Sequence, residues 1–391
     1  LNSGRIANLK PMVKEKNWFH DAGIKKVFFL TILIKLTALI VIAVGAIFLP
    51  FRNDNYFANF HYPINHNPNF FTRFQTWDAP HYLYLADFGY KPNLLSNAFY
   101  PLFPLLIRFF GFVFLNNHFI TGLFLSIFFT IAAIVFLYQT VREFYDESTA
   151  LKTCLLLLAF PTSFFLGLIY SDSLFLMLAT ALFYFELKNK KWPYLLCAFL
   201  LPLSRPIGIF VMAAVAFKIV REDKENRLKK ITEFSLSSLL GLVTYFIIMK
   251  ISTGDMFSGF EAQNYYYRSK SVSNLFHPID WFLNNFVYIK LSFNNPFTGF
   301  LDRFSFLIYL IFLIDSRRFL PRYFWIYLLV LGLVSGMSGD LTSFMRYIVV
   351  LFPIFIAIAI RFKSSIWYLI GGCVIVQIIF ILLYSINDWV A

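Results

Sequence analysis

The chain has 391 residues, of which 59% are hydrophobic, 21% aromatic and only 14% charged, against about 25% charged in soluble globular domains. That composition excludes a soluble enzyme and places the protein in a membrane, where a formal net charge of +13 reads as topology signals on short loops and not as a nucleic-acid surface. Apolar runs of about 15 to 25 residues suit helices crossing about 30 Å of hydrocarbon, and the alternating ten-residue segments of a β-barrel are missing.

The polar, basic opening 1–17 lacks the pattern of a cleavable signal, so the first apolar run, 27–50, is expected to stay as a helix. Further spans are expected at 119–141, 151–169, 172–187, 193–204, 206–220, 231–251, 303–315, 321–338, 345–360 and 366–386. The fold class is therefore an all-α polytopic membrane protein, one bundle of about eleven transmembrane helices over 1–391 with long loops at 51–118 and 252–302. Two of these segments are too short to span alone. In "LSRP", Pro206 removes a backbone donor and disfavours helix at Arg205, so two half-helices are expected to meet inside the protein.

Lys and Arg concentrate in 1–26, 142–152, 188–191, 218–230, 316–322 and 361–363. The positive-inside rule then puts the amino terminus in the cytoplasm and both long loops, with any active site they carry, on the extracytoplasmic face. Within the first loop, "PLFPLLIRFFGFVFL" is apolar but interrupted by Pro104, Arg108 and Gly111, which suits an interfacial or re-entrant segment. Cys154, Cys197 and Cys373 sit in separate apolar runs without close-spaced partners, and read as packing residues.

Chemistry-bearing side chains cluster in that first loop. A helix over Trp77 to Phe88 would put Trp77, His81 and Phe88 on one face and crowd Asp78, His81 and Tyr82 into one turn. Asp78 is either a general base, taking the proton of an attacking hydroxyl, or the cap of a juxtamembrane helix. Asp87 reads as a solvated or paired charge. No D-x-D or H-x-x-x-H cluster stands here, so no metal or other cofactor is required, and a divalent ion is the weaker expectation.

Arg205, inside an apolar hairpin, either grips a phosphate or pairs with an acid such as Asp172. Arg346 opens the span "MRYIVVLFPIF" as a snorkelling helix end or a second phosphate ligand. Tyr170, Ser171, Asp172 and Ser173 form an outer turn that either caps the next helix or reaches an acceptor or Arg205. In "AQNYYYRSKS", Gln263 and Arg268 join three tyrosines in a mixture that fits a sugar or headgroup site and equally an interfacial aromatic belt.

The blocks "TWDAPHYLYLADFGY", "AFYPLFPLL", "FPTSFFLGLIYSDSLFLML", "LSRPIGIFV" and "MRYIVVLFPIF", in this order, resemble the PIG-V-type mannosyltransferases and their prokaryotic relatives. The resemblance implies a GT-C glycosyltransferase in a prokaryotic plasma (inner) membrane, with Asp78 in the catalytic position and a polyprenyl-phosphate sugar as donor. Arg205, Arg346 and His81 become the candidate phosphate ligands, and Trp77, Tyr82, Tyr100, Tyr170, Asp172, Gln263 and Arg268 the candidate substrate contacts. The family's acidic residue after Gly-Tyr is replaced here by Lys91, Asn93 and Asn97, and its Glu at the later position is Asp172, which leaves a glycolipid, a glycan or a protein as acceptor.

An outward-facing site agrees with a donor carried across on lipid, and no Gly-rich nucleotide loop on a strand–helix unit is present. The expected reaction is inverting transfer of mannose to a hydroxyl. The rival readings are a transporter or flippase for a lipid-linked saccharide, which predicts paired repeats and midplane sites, and a ligase or polymerase using a lipid-diphosphate donor.

Overall fold

Residue placement in the computed structural model is described for 21–64, 66–222, 225–265, 272–288 and 296–390. Among these residues the regular structure is helical, with no strand, as the composition and periodicity predict for an all-α polytopic membrane protein. Helix Ala22–Phe48 starts at Asp21, whose carboxylate accepts the amides of Gly23 at 3.0 Å and Ile24 at 3.2 Å, two of the donors that a helix start leaves open.

That helix is apolar nearly all round, so size and polarity decide which side faces the bundle. Val27, Thr31, Lys35, Ala38, Ile42 and Gly45 form one buried stripe, while Phe29, Leu33, Ile40 and Ile47 remain exposed as a lipid-compatible face. Gly45 allows close approach to helix Ile366–Ser385, since a Cβ there would lie 2.2 Å from Ser385 Oγ. Four helices among the described residues are individually long and apolar enough to cross a bilayer: Ala22–Phe48, His118–Arg142, Arg227–Thr253 and Ile366–Ser385. The other expected spans are also helical: 303–315 lies within the helix Pro296–Ser316, and the rest are in shorter or interrupted pieces.

Three of those pieces break for reasons visible in the chain. The expected span 151–169 is helix Glu147–Ala159 followed by a 3-10 turn at Ser163–Gly167, and 345–360 divides into Phe344–Ile348 and Pro353–Arg361. Pro161 accounts for the first, because proline disfavours the helical conformation of the residue before it, and Phe160 has ψ 139°; at the second, Pro353 opens the new helix and has no amide to continue the hydrogen bonds of the preceding turn. At the third break Lys191–Ser204 ends before Arg205 and a 3-10 turn, Pro206–Phe210, leads into Val211–Glu222. There the backbones touch: a Cβ on Gly208 would fall 2.1 Å from the Leu201 carbonyl oxygen.

Broken helices leave carbonyls that lipid cannot satisfy. The buried Lys35 meets one of them, its ammonium donating to Ser163 O at 2.6 Å. The segment after Pro101 is helix Leu102–Phe110 with a further turn to Phe114; Phe103 and Ile107 pack inward and Leu105, Phe109, Phe112 and Val113 are exposed, a two-sided division compatible with an interfacial and with a re-entrant segment. One apolar core links the helices His118–Arg142, Asp172–Leu187, Arg322–Met337 and Pro353–Arg361. The interruptions in this core bring the charged residues together.

Candidate active site

Helix Ala79–Phe88 begins one residue after Asp78, with Pro80 in its first turn. Asp78 thus occupies the capping position, but its carboxylate makes no capping bond to the helix amides. Asp78 Oδ2 instead accepts Arg346 Nη1 at 2.7 Å, from a residue 268 positions away. The same guanidinium reaches Asp172 Oδ2 through Nη2 at 2.6 Å and Nε at 3.2 Å, and Asp172 Oδ1 accepts Arg205 Nη1.

Two carboxylates and two guanidinium groups thereby form one chain of charge, Asp78–Arg346–Asp172–Arg205, with no net charge. Each member stands where helix is absent or just starting: before Ala79, at the first residue of Asp172–Leu187, at the Arg205 break, and in the short helix Phe344–Ile348. Exposure divides them. The side chains of Asp172 and Arg346 are 1% and 5% exposed, whereas that of Asp78 is 26% exposed. The interior of the network is a pairing that low dielectric makes stiff, and Asp78 is its accessible end.

Aromatic faces complete the cationic side. Arg346 lies over the ring of Tyr170 at 4.5 Å and of Phe165 at 5.2 Å, and Arg205 over Tyr347 at 5.4 Å. The Tyr170 hydroxyl donates to Thr76 O at 2.9 Å and the Tyr82 hydroxyl to Ser171 Oγ at 2.7 Å. Ser171 is therefore engaged across the site, and it makes no side-chain capping bond to the helix that follows.

Trp77 has φ +62°, a left-handed conformation that costs a bulky residue about 1–3 kcal/mol unless its surroundings impose it. His81 is buried between the rings of Phe60 and Phe99, with centroids 4.2 and 4.4 Å away, and its Nδ1 is 2.9 Å from Ser96 Oγ. Burial lowers the imidazole pKa to about 3. It is thus a neutral ring held by stacking, without the charge that a phosphate ligand would use.

Of the remaining candidates, Tyr100 stacks on Tyr245 at 4.4 Å in a separate small apolar cluster. Gln263 is half-buried on helix Ser258–Tyr265, which packs against 95–98 and Arg227–Thr253. Arg268 lies outside the described residues. Asp87 is a paired charge, accepting the Tyr62 hydroxyl at 2.6 Å and lying 2.5 Å from His118 Nδ1. Among the described residues no three His, Cys, Asp or Glu side chains are grouped as metal ligands would be.

Sequence reasoning passed over Tyr347 and Phe165, and also Asp302, whose carboxylate accepts the amides of Ser343 at 3.0 Å and Met345 at 2.9 Å beside Arg346. None carries a local signal, because each acts on a partner far away in the chain.

Residues 96–249 match the family model of dolichyl-phosphate-mannose-protein mannosyltransferases. Asp172 and Arg205 fall within the matched stretch, and Asp78 and Arg346 outside it. No curated protein and no solved structure matches the chain. Together with the helical fold, the family match supports a membrane glycosyltransferase of the GT-C class.

Proposed function

We propose that the protein transfers a mannosyl residue from a polyprenyl-phosphate donor to an acceptor hydroxyl on the extracytoplasmic face of a prokaryotic plasma membrane, with inversion and with Asp78 as general base. The observation that carries this reading is the accessible Asp78 carboxylate, which forgoes the helix cap at its own position and is aimed instead by the buried Arg346. A helix cap would have no use for such a partner.

In this mechanism the acceptor oxygen attacks the anomeric carbon while Asp78 takes its proton. The bond from that carbon to the phosphate oxygen breaks, and its electron pair leaves with polyprenyl phosphate. Negative charge grows on the departing phosphate, where a preorganised cation is worth a few kcal/mol. Arg346 is the nearest fixed cation to Asp78 and Arg205 stands behind it on Asp172. Direct displacement converts a β-linked donor into an α-linked product, and the reading asks for no metal. Tyr170 holds the plane of Arg346, and the neutral His81 shapes the wall behind Asp78.

The donor class draws support from the name of the matched family, which joins dolichyl-phosphate mannose to a protein acceptor. The resemblance to PIG-V-type enzymes points to a glycolipid, so the experiment is arranged to report the acceptor. Reconstituted protein is given labelled mannosyl-phosphoprenol and a membrane extract, with Asp78→Asn as comparison. The wild type should pass label to one fraction of the extract, lipid or protein, and Asp78→Asn should bind donor and transfer it about 10²–10⁴ times more slowly. Equal transfer by both would return Asp78 to a structural role. Movement of donor between leaflets with transfer by neither would make the protein a transporter.

A further inference from the structure

We propose that the stretch closing helix Ile366–Ser385, from Tyr384 to Trp389, is a clamp that positions the Asp78 base, with Trp389 as its principal positioning residue. This deepens the proposed reaction and rests on Asp78 serving as its base. The direction of the Asp78 carboxylate is set by the backbone at Thr76 and Trp77, the two residues before it. Trp77 is left-handed, so a return to an ordinary negative φ would swing Asp78 off its present line.

Two contacts oppose that swing. The Trp389 ring meets the Trp77 ring edge to face, with centroids 4.8 Å apart and planes at 69°. The Thr76 amide donates to the Tyr384 hydroxyl at 3.4 Å, while its carbonyl is held by Tyr170. Both clamp residues are well buried, Tyr384 at 0% and Trp389 at 8% exposure.

The stretch is itself anchored. Asp388 pairs with Arg52 at 3.3 Å, Asn387 O accepts Asn55 Nδ2 at 3.0 Å, and Ile386 O accepts the Arg52 amide at 2.9 Å. Arg73 adds a brace, its guanidinium donating to Leu49 O at 2.9 Å and Ser385 O at 3.1 Å. These bonds join the start of the first loop, the end of the last helix and the backbone beneath Asp78 into one rigid unit. A misplacement of about 1 Å at a reacting group is enough to cost as much as 100-fold in rate.

The test compares Trp389→Ala, Trp389→Leu and Trp389→Phe with the wild type, each alone and combined with Asp78→Asn. Transfer at saturating donor, donor KM and thermal unfolding are measured on the reconstituted full chain. Trp389→Ala and Trp389→Leu should lower the saturated rate about 10- to 100-fold with donor KM within about twofold, and Trp389→Phe should recover most of it. In the Asp78→Asn background, the same changes should alter the residual rate less than about twofold, because no base remains to be aimed. If Trp389→Ala misfolds, Trp389→Leu, which keeps the apolar bulk, reads the same effect. An unchanged rate in Trp389→Leu, or an equal loss in both backgrounds, overturns the clamp. Full activity of Asp78→Asn alone overturns the base reading and the clamp with it, whereas an inactive Asp78→Asn beside a fully active Trp389→Leu overturns the clamp only.

Discussion

Arg346 holds two carboxylates with one guanidinium, and neither pair is equivalent to the other. Asp172 is fully enclosed and shared with Arg205, so Asp172→Asn takes the Asp172 carboxylate from Arg205 and leaves Arg346 with the Asp78 carboxylate. Removing one partner of a buried pair costs about 3–5 kcal/mol, and thermal unfolding in detergent should show a loss of that order for Asp172→Asn. Asp78→Asn should cost visibly less, because water reaches the Asp78 side chain, which is 26% exposed. Equal stabilities for the two variants would mean that the network is not graded in this way. His81 makes a prediction about pH. Its folded-state pKa is lowered to about 3 by burial, from an ordinary value of 6.5. Between those values the unfolded chain holds a proton on this ring that the folded chain does not. The contribution of His81 is therefore complete above pH 6.5 and is lost as pH falls below it, at up to about 1.4 kcal/mol per pH unit. His81→Phe should flatten this acid limb of the stability curve, and transfer rates between pH 6 and 7 should show no limb that disappears in the same variant.

At the scale of elements, the site depends on how short segments are held at their ends. Phe344–Ile348 is five residues long and follows Ser343, whose φ is +68°, so it has little stability of its own. Asp302 on helix Pro296–Ser316 supplies what it lacks by accepting two amides, and Asn285 Oδ1 accepts a third, from Leu341 at 2.9 Å. Asp302→Ala should release the turn that aims Arg346, weakening donor binding and lowering transfer about tenfold or more; Asp302→Asn, which retains one acceptor oxygen, should fall between. Rates and donor affinity measured together check this, and a variant that loses stability while keeping both would make Asp302 a folding residue only. Such dependence explains what could be read in advance. The break at Arg205 was legible because Pro206 is adjacent, and its pairing with Asp172 was one of two readings open. The breaks after Ala159 and before Pro353 each carried a proline too, within runs whose hydropathy read as continuous. The Arg346–Asp78 bond and the stacking of His81 between Phe60 and Phe99 had no such mark, since helix periodicity describes neighbours at three and four residues and these partners come from other elements.

At the scale of the molecule, several stretches of irregular backbone among the described residues converge. The turn at Phe71–Phe74, the break after Ala159, the break at Arg205 and the segment from Ser338 to Pro353 contribute to one region, where their free amides and carbonyls are satisfied by side chains such as Tyr170, Lys35 and Asp302. Lipid tolerates non-helical backbone only when protein or a water-filled cavity surrounds it, so the chemistry and the broken helices call for the same place. Which face of the bilayer this region opens to decides the kind of donor. By the positive-inside rule the clustering of Lys and Arg in short loops predicts a first long loop outside, away from the cytoplasmic pool of nucleotide sugars, and the proposed donor carried on lipid follows from that expectation. The native cysteines leave this open to direct measurement, because Cys154 and Cys197 are buried and Cys373 is partly so. Lys91, after the Asp78 helix, and Lys190, in the basic connection after Leu187, are both exposed. A membrane-impermeant maleimide should label Lys91→Cys in intact cells and Lys190→Cys only after permeabilisation. The reverse pattern would set Asp78 beside the nucleotide-sugar pool and remove the need for polyprenyl phosphate, whatever the geometry of the four charges.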